Sequence, residues 1–165
     1  MKDKLIYYAK ETIIFILVMT LFANIISFYK SSDLNKEALP SLNVTLLDNS
    51  DYILTNNSKP ILVHFWATWC PTCSLEAANI ETLSKSFEVI TIAVKSDRDK
   101  IIDYVLANDL NFKVVNDNEG VLARKFNISA YPTTFIYDKN AELVFSEVGY
   151  TSTFGLWLRM WWAGV

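Results

Sequence analysis

The sequence predicts an α/β domain with a mixed sheet, carried behind one N-terminal membrane-spanning helix. Three patterns say so. No charge occurs between Glu11 and Lys30, and residues 13–29 are almost wholly apolar. Two short runs of β-forming residues, Ile61–Trp66 and Glu88–Val94, alternate with helical stripes. The chain then closes on two strand-like runs and a last helix. Strands that alternate with helices pair in parallel and a closing hairpin pairs antiparallel, so the sheet is mixed.

Composition bounds the function. The chain has 165 residues, 52% of them hydrophobic and 20% charged, which is too apolar for a disordered chain and about right for one domain. The net charge of −3 offers no basic excess for nucleic acid, so no nucleic-acid partner is expected. Two Cys and one His are too few for a disulfide-rich scaffold or a four-ligand zinc site of their own.

The elements follow in order. Residues 1–12 form a short charged stub, expected in the cytoplasm, because Lys2, Lys4 and Lys10 precede the apolar run. Residues 13–29, interrupted only by Thr20, Asn24 and Ser27, are just long enough to cross a bilayer core as a helix. A cleaved signal peptide is the alternative, but its apolar core would be shorter and no small-x-small cut site follows. Residues 30–38 read as a tether and residues 39–165 as the domain. Leu42, Val44, Leu46 and Ile53 alternate around Asn49-Ser50-Asp51, a β-hairpin pattern. Ile61–Trp66 suits a strand buried on both faces. Pro71 favours the first position of a helix, and Ala77, Ile80, Leu83 and Phe87 supply its stripe. Glu88–Val94 is a second buried strand. Ser96-Asp97 is a capping signal for a helix bearing Ile101, Ile102, Val105 and Leu106. A short strand over 112–115 and a short helix over 118–126 come next. Strands at Thr133–Tyr137 and Leu143–Val148 join through Asp138-Lys139-Asn140, and a helix over 151–163 ends the chain.

The chemistry lies in Trp69-Cys70-Pro71-Thr72-Cys73. A Cys-x-x-Cys that follows a strand and opens a helix places the first sulfur where free N–H groups and the helix dipole favour a thiolate. The second sulfur stands one turn on and can resolve a mixed disulfide between Cys70 and a substrate. The catalytic, redox-active pair is therefore Cys70 and Cys73, and this exchange needs no cofactor and no metal. Two other readings stay open from the residues alone: a buried structural pair, and a copper(I)-binding or copper-delivery module using both thiolates. A delivery module would call for Cys-x-x-x-Cys with a distant His, or Met-rich flanks, and neither is present. A peroxidatic Pro-x-x-x-Thr-x-x-Cys would need Pro at 63 and Thr at 67, where the chain has Val63 and Ala67.

The segment Pro60-Ile61-Leu62-Val63-His64-Phe65-Trp66-Ala67-Thr68-Trp69-Cys70-Pro71-Thr72-Cys73 resembles the active-site strand and turn of membrane-anchored thioredoxin-like proteins, the TlpA/ResA/CcmG (DsbE) group. The likeness extends from Leu39 to the C-terminus and includes the additional N-terminal hairpin. Residues 149–164 also resemble protein disulfide oxidoreductases linked to suppression of copper sensitivity. The resemblance implies a thioredoxin-like fold and a membrane-anchored thiol–disulfide oxidoreductase. It implies a bacterial inner-membrane, single-pass location with the domain outside the cytoplasm. Substrates would be disulfide-containing proteins, apocytochrome c among them, and electrons would come from a membrane donor of the DsbD/CcdA type. It makes Pro132 a cis-proline facing the active site, with Trp69, Pro71, Tyr131 and Pro132 shaping the substrate groove. His64 takes the strand position of a buried Asp in thioredoxins, where it either moves a proton for Cys73 or only packs. Two departures stand out: Thr133 replaces an acidic residue after the proline, and Pro71-Thr72 leaves no acid between the cysteines. Trp66 is expected to pack beside the sheet. The apolar last helix, with Trp157, Trp161 and Trp162, suggests contact with a bilayer or a partner.

Overall fold

The computed structural model describes residues 2–31, 34, 37–55 and 59–165. Helix α1 runs Lys2–Ser31. A separate antiparallel pair follows, β1 (Leu42–Thr45) with β2 (Asp51–Leu54). The main sheet comprises β3 (Ile61–Trp66), β4 (Glu88–Val94), β5 (Lys113–Asp117), β6 (Thr133–Tyr137) and β7 (Leu143–Val148), in the order β5-β4-β3-β6-β7. Strands β3, β4 and β5 are parallel, while β6 and β7 are antiparallel additions. Between them run α2 (Pro71–Ser84), α3 (Arg98–Ala107), α4 (Val121–Lys125) and α5 (Thr153–Ala163). This is the expected mixed sheet flanked by helices, with the hairpin as an extra layer.

Strand alternation divides the core. Leu62 and Trp66 on β3 face α2, α3 and α5, together with Val89, Ala93 and Ile136. Ile61, Val63 and Phe65 face the hairpin and α4, together with Ile90, Ile92 and Phe135. Every residue of β3 is buried, as a central strand covered on both faces requires. The hairpin is pinned where the Tyr52 hydroxyl donates to Glu88 Oε1 at 2.8 Å and Lys113 sits 4.8 Å over the Tyr52 ring.

Several details differ from the sequence pattern. Ile53 pairs with Asn43 and is exposed; Tyr52 and Leu54, opposite Val44 and Leu42, face inward instead. Ser96 does not cap α3. Its hydroxyl donates to Val94 O and accepts from Thr68 N at 3.2 Å, tying down the loop before Cys70. Asp97 is the N-cap, without a side-chain hydrogen bond. Leu106, read as part of the α3 stripe, is exposed. Strand β5 starts one residue later than the apolar run and extends to Asp117, whose carboxylate accepts from Leu122 N and Ala123 N and so caps α4. Helix α4 accordingly begins at Val121 and α5 at Thr153.

At the N-terminus, the 30 residues of α1 span about 45 Å at 1.5 Å per residue. Ile13, Phe15, Leu17, Leu21, Phe22 and Ile25 are exposed along it. Among the described residues no helix is long and apolar enough to cross a membrane; many α1 side chains lie outside that set. Leu34, within the expected tether, is buried in the core beside Leu39.

Candidate active site

Cys70 is the N-cap of α2 and Pro71 the first helical residue. Proline is favoured there because it has no N–H to leave unpaired. The Cys73 N–H donates to Cys70 Sγ at 3.2 Å, so one of the free amides of the first turn points at the sulfur. Cys70 and Cys73 are joined as a disulfide with their Cα atoms 5.3 Å apart. Both are buried, Cys73 (2% exposed) slightly more than Cys70 (5%). Cys70 stands at the helix end and Cys73 within its first turn.

Trp69 stands outside, 58% exposed, with its indole N–H donating to Lys95 O at 3.2 Å. Its ring meets Tyr131 edge-on at 5.7 Å. The Tyr131-Pro132 peptide is cis, as the resemblance implied. The aromatic contact brings Tyr131, the residue before Pro132, against Trp69, the residue before Cys70. Trp66, by contrast, is buried against Tyr104 (5.0 Å) and Phe112 (6.1 Å), a packing role.

His64 points to the face of β3 that α2 covers, the same side as Cys73. Its Nδ1 lies 2.9 Å from Thr134 Oγ1, directly across the strand pair. Burial pushes its pKa down to about 3, so the ring is neutral at any ordinary pH. A base that weak takes up a proton from a thiol poorly. The register lines up Thr91, His64, Thr134 and Glu147 as a polar row across four strands, all on the α2 face.

Glu76 is a buried carboxyl that the sequence reading did not single out. It is fully buried one turn after Cys73, on the same face of α2. Oε1 accepts from Thr151 N at 3.1 Å, and Oε2 has no hydrogen-bond partner. Burial pushes its pKa up to about 8; the Thr151 amide opposes this and the nearby Glu147 charge adds to it. Glu147 itself is paired with Arg159 at 2.7 Å. A second buried carboxylate on the helix, Glu81, shows the contrast. It accepts from both Asn111 N and Phe112 N and serves as a staple. The sequence places Glu76 in helical phase with Cys73, Ala77 and Ile80, but Glu81 lies on the same buried face, so the letters alone do not separate the two. Among the described residues no group of three or more His, Cys, Asp or Glu is arranged to hold a metal ion.

The profile of the AhpC/TSA family matches residues 35–146, two thirds of the chain. The chain belongs to the AhpC/TSA family. Within that family it stands with the thiol–disulfide exchangers. It is 32% identical over 135 residues to a thioredoxin-like protein of Haemophilus influenzae, covering 79% of this chain and 77% of that one. It is 30% identical over 118 residues to the thiol:disulfide interchange protein DsbE of Escherichia coli, covering 67% and 63%. It is 27% identical over 111 residues to the sporulation thiol-disulfide oxidoreductase A of Bacillus subtilis, covering 62% and 67%. Among solved structures, a thiol:disulfide interchange protein of Chlorobium tepidum superposes with a TM-score of 0.70 at 23% identity, covering 78% of this chain and 97% of that one. A secreted disulfide oxidoreductase of Mycobacterium tuberculosis gives 0.66 at 24%, covering 73% and 94%. The fold is thioredoxin-like, and this AhpC/TSA-family chain is a thiol–disulfide oxidoreductase whose redox pair is Cys70 and Cys73.

Proposed function

We propose that the chain is an extracytoplasmic reductant of protein disulfides, tethered to the bacterial inner membrane by residues 13–29. The observation that carries the chemistry is the Cys70 sulfur at the N-cap of α2, facing the Cys73 amide. In the reduced protein that position favours the Cys70 thiolate. It attacks a substrate disulfide, forming a mixed disulfide and expelling one substrate thiolate. Cys73 then attacks Cys70 Sγ, closing the internal disulfide and releasing the second substrate thiolate. A membrane dithiol donor of the DsbD/CcdA type reopens the pair and leaves with its own disulfide, so electrons balance over the cycle.

Glu76 handles the proton. In the oxidised form it is largely neutral at pH 7 and one turn from Cys73. When the donor opens the pair, Cys73 leaves as a thiolate and takes the Glu76 proton. When Cys73 must attack again, the Glu76 carboxylate takes the proton back. A carboxyl with a pKa of about 8 is matched to a thiol near 8.5; a histidine at about 3 is not. His64 serves to pack and to pair with Thr134.

Trp69, Pro71, Tyr131 and Pro132 shape the groove that receives the substrate strand, which pairs with the backbone beside Cys70. Substrates are disulfide-containing proteins, with apocytochrome c one of that class. The anchor reading is supported by the uncharged run, by the length of α1 and by its exposed apolar side chains. A tethered reductant has a task in an oxidising compartment and little in a reducing one.

The test is a trap. Cys73→Ser in cells should accumulate reductant-sensitive adducts on non-reducing gels, while Cys70→Ser should form none and lose all turnover. Adducts on Cys70→Ser alone would reverse the roles of the two sulfurs. Adducts on neither variant would overturn protein disulfides as the substrate.

A further inference from the structure

Helix α5 buries Leu156, Met160 and Ala163 against the core. Its other side should then be polar, as on an ordinary surface helix. It is not. Phe154, Trp157, Leu158, Trp161 and Trp162 are exposed, and Val165 extends the line past the helix end. Their spacing of i, i+3, i+4, i+7, i+8 and i+11 makes one band along the helix. The only charged side chain of α5, Arg159, turns inward to Glu147 and Phe145. No exposed position of α5 carries a polar side chain. A monomeric domain rarely leaves such a band in water.

Its place in the fold says what covers it. The turn between β6 and β7 receives both ends of the domain. Leu39 N donates to Ala141 O at 2.8 Å, and Lys139 Nζ donates to Val165 O at 3.5 Å. Helix α1 ends at Ser31 and Leu34 is already in the core. Three Cα–Cα steps reach at most about 11 Å, so the apolar helix holds the domain close to whatever it inserts into. Helix α1 packs against β7, whose Phe145 and Glu147 meet Arg159 of α5. Tyr137, just before that turn, pairs with Ile61, and Thr133 pairs with Phe65 near Cys70. The anchored end is therefore opposite the redox end. Trp and Phe are the side chains that settle at the headgroup level.

We propose that the exposed aromatic face of α5 seats lengthwise in the headgroup–acyl boundary of the bilayer into which α1 inserts. The proposal rests on the anchor part of the function argued above. It adds a second attachment, so that the domain is oriented as well as tethered.

All five Trp lie in the domain and none in α1, so indole emission reports on the domain alone. The full chain is reconstituted into phosphatidylcholine–phosphatidylglycerol vesicles, with or without bromine on the acyl carbons nearest the headgroup, and floated on a density gradient. Wild type should float and lose about half its indole emission to bromine, since three of the five Trp are on the band. A variant with Trp157, Trp161 and Trp162 all changed to Phe should float, keep its thiol–disulfide activity, and show little quenching of Trp66 and Trp69. Wild type that floats yet is quenched no more than the variant overturns this proposal and leaves the anchor standing. A chain that does not float overturns the anchor and the proposal together. Unquenched chains that cross-link through α5 assign the face to a second copy, which also overturns it.

Discussion

Replacing Glu76 by Gln should make the protein more stable and a slower catalyst. Burial raises the Glu76 pKa from 4.5 to about 8. The unfolded chain ionises this group above pH 4.5, while the folded one keeps it neutral up to about 8. Between those values the native state binds the extra proton, so stability falls as pH rises, by about 1.4 kcal/mol per pH unit. From 4.5 to 7 the loss reaches about 3 kcal/mol. Above pH 8 it no longer grows. Glutamine has nothing to ionise and still accepts from Thr151 N through its amide oxygen. E76Q should thus gain about 1–3 kcal/mol at pH 7, allowing for relaxation around the carboxylate, and nothing at pH 4.5. Urea unfolding followed by tryptophan emission, in one detergent from pH 4.5 to 8, measures the difference between the two proteins. Single-turnover resolution of a mixed disulfide should slow by about 10²-fold, the typical contribution of one proton-transfer group. The ionisation near pH 8 should also vanish from its profile. A stability difference that is flat from pH 4.5 to 8 would refute the buried neutral acid. An unchanged rate profile would refute its part in the exchange.

Three other substitutions probe neighbouring claims. His64→Ala should cost about 2 kcal/mol by leaving a void and an unpaired Thr134 hydroxyl. It should not alter the pH profile of resolution; it should also remove the stability loss that a histidine depressed from 6.5 to about 3 produces as pH falls through that window. Asp117→Ala removes the acceptor for two α4 amides, where the N-cap Gly120 offers none, and should lower stability by about 1–2 kcal/mol in chemical denaturation. Trp69→Ala, at a site 58% exposed, should hardly change stability and should raise KM for a protein substrate, read in an insulin-type reduction assay.

The redox pair was legible in the sequence because its chemistry is local. A strand, a proline and two cysteines three apart specify an N-cap sulfur and a resolving partner within one turn, with no need of the rest of the chain. Ile61–Trp66, Pro71–Ser84, Glu88–Val94, Thr133–Tyr137 and Leu143–Val148 were legible for a related reason. Each is long or apolar enough for its period to be unambiguous. Boundaries blurred where a side chain found a distant partner. Ser96 looked like a cap but serves Thr68, 28 residues away, and Asp117 in a strand caps the helix after it.

What only the tertiary structure decided is the surroundings of Glu76 and the outward face of α5. The charge state of a carboxyl depends on what surrounds it, and Glu76 and Glu81, five residues apart on one helix, are indistinguishable as letters. One is given two amides by the approach to β5; the other accepts from Thr151 N alone and keeps an unpaired oxygen. In the same way, the crowding of aromatics in residues 153–165 was plain from the sequence. Which of them the sheet buries, and which remain outside, follows from the phase at which α5 docks. That phase is set by Leu156, Met160 and Ala163 packing on residues far away in the chain.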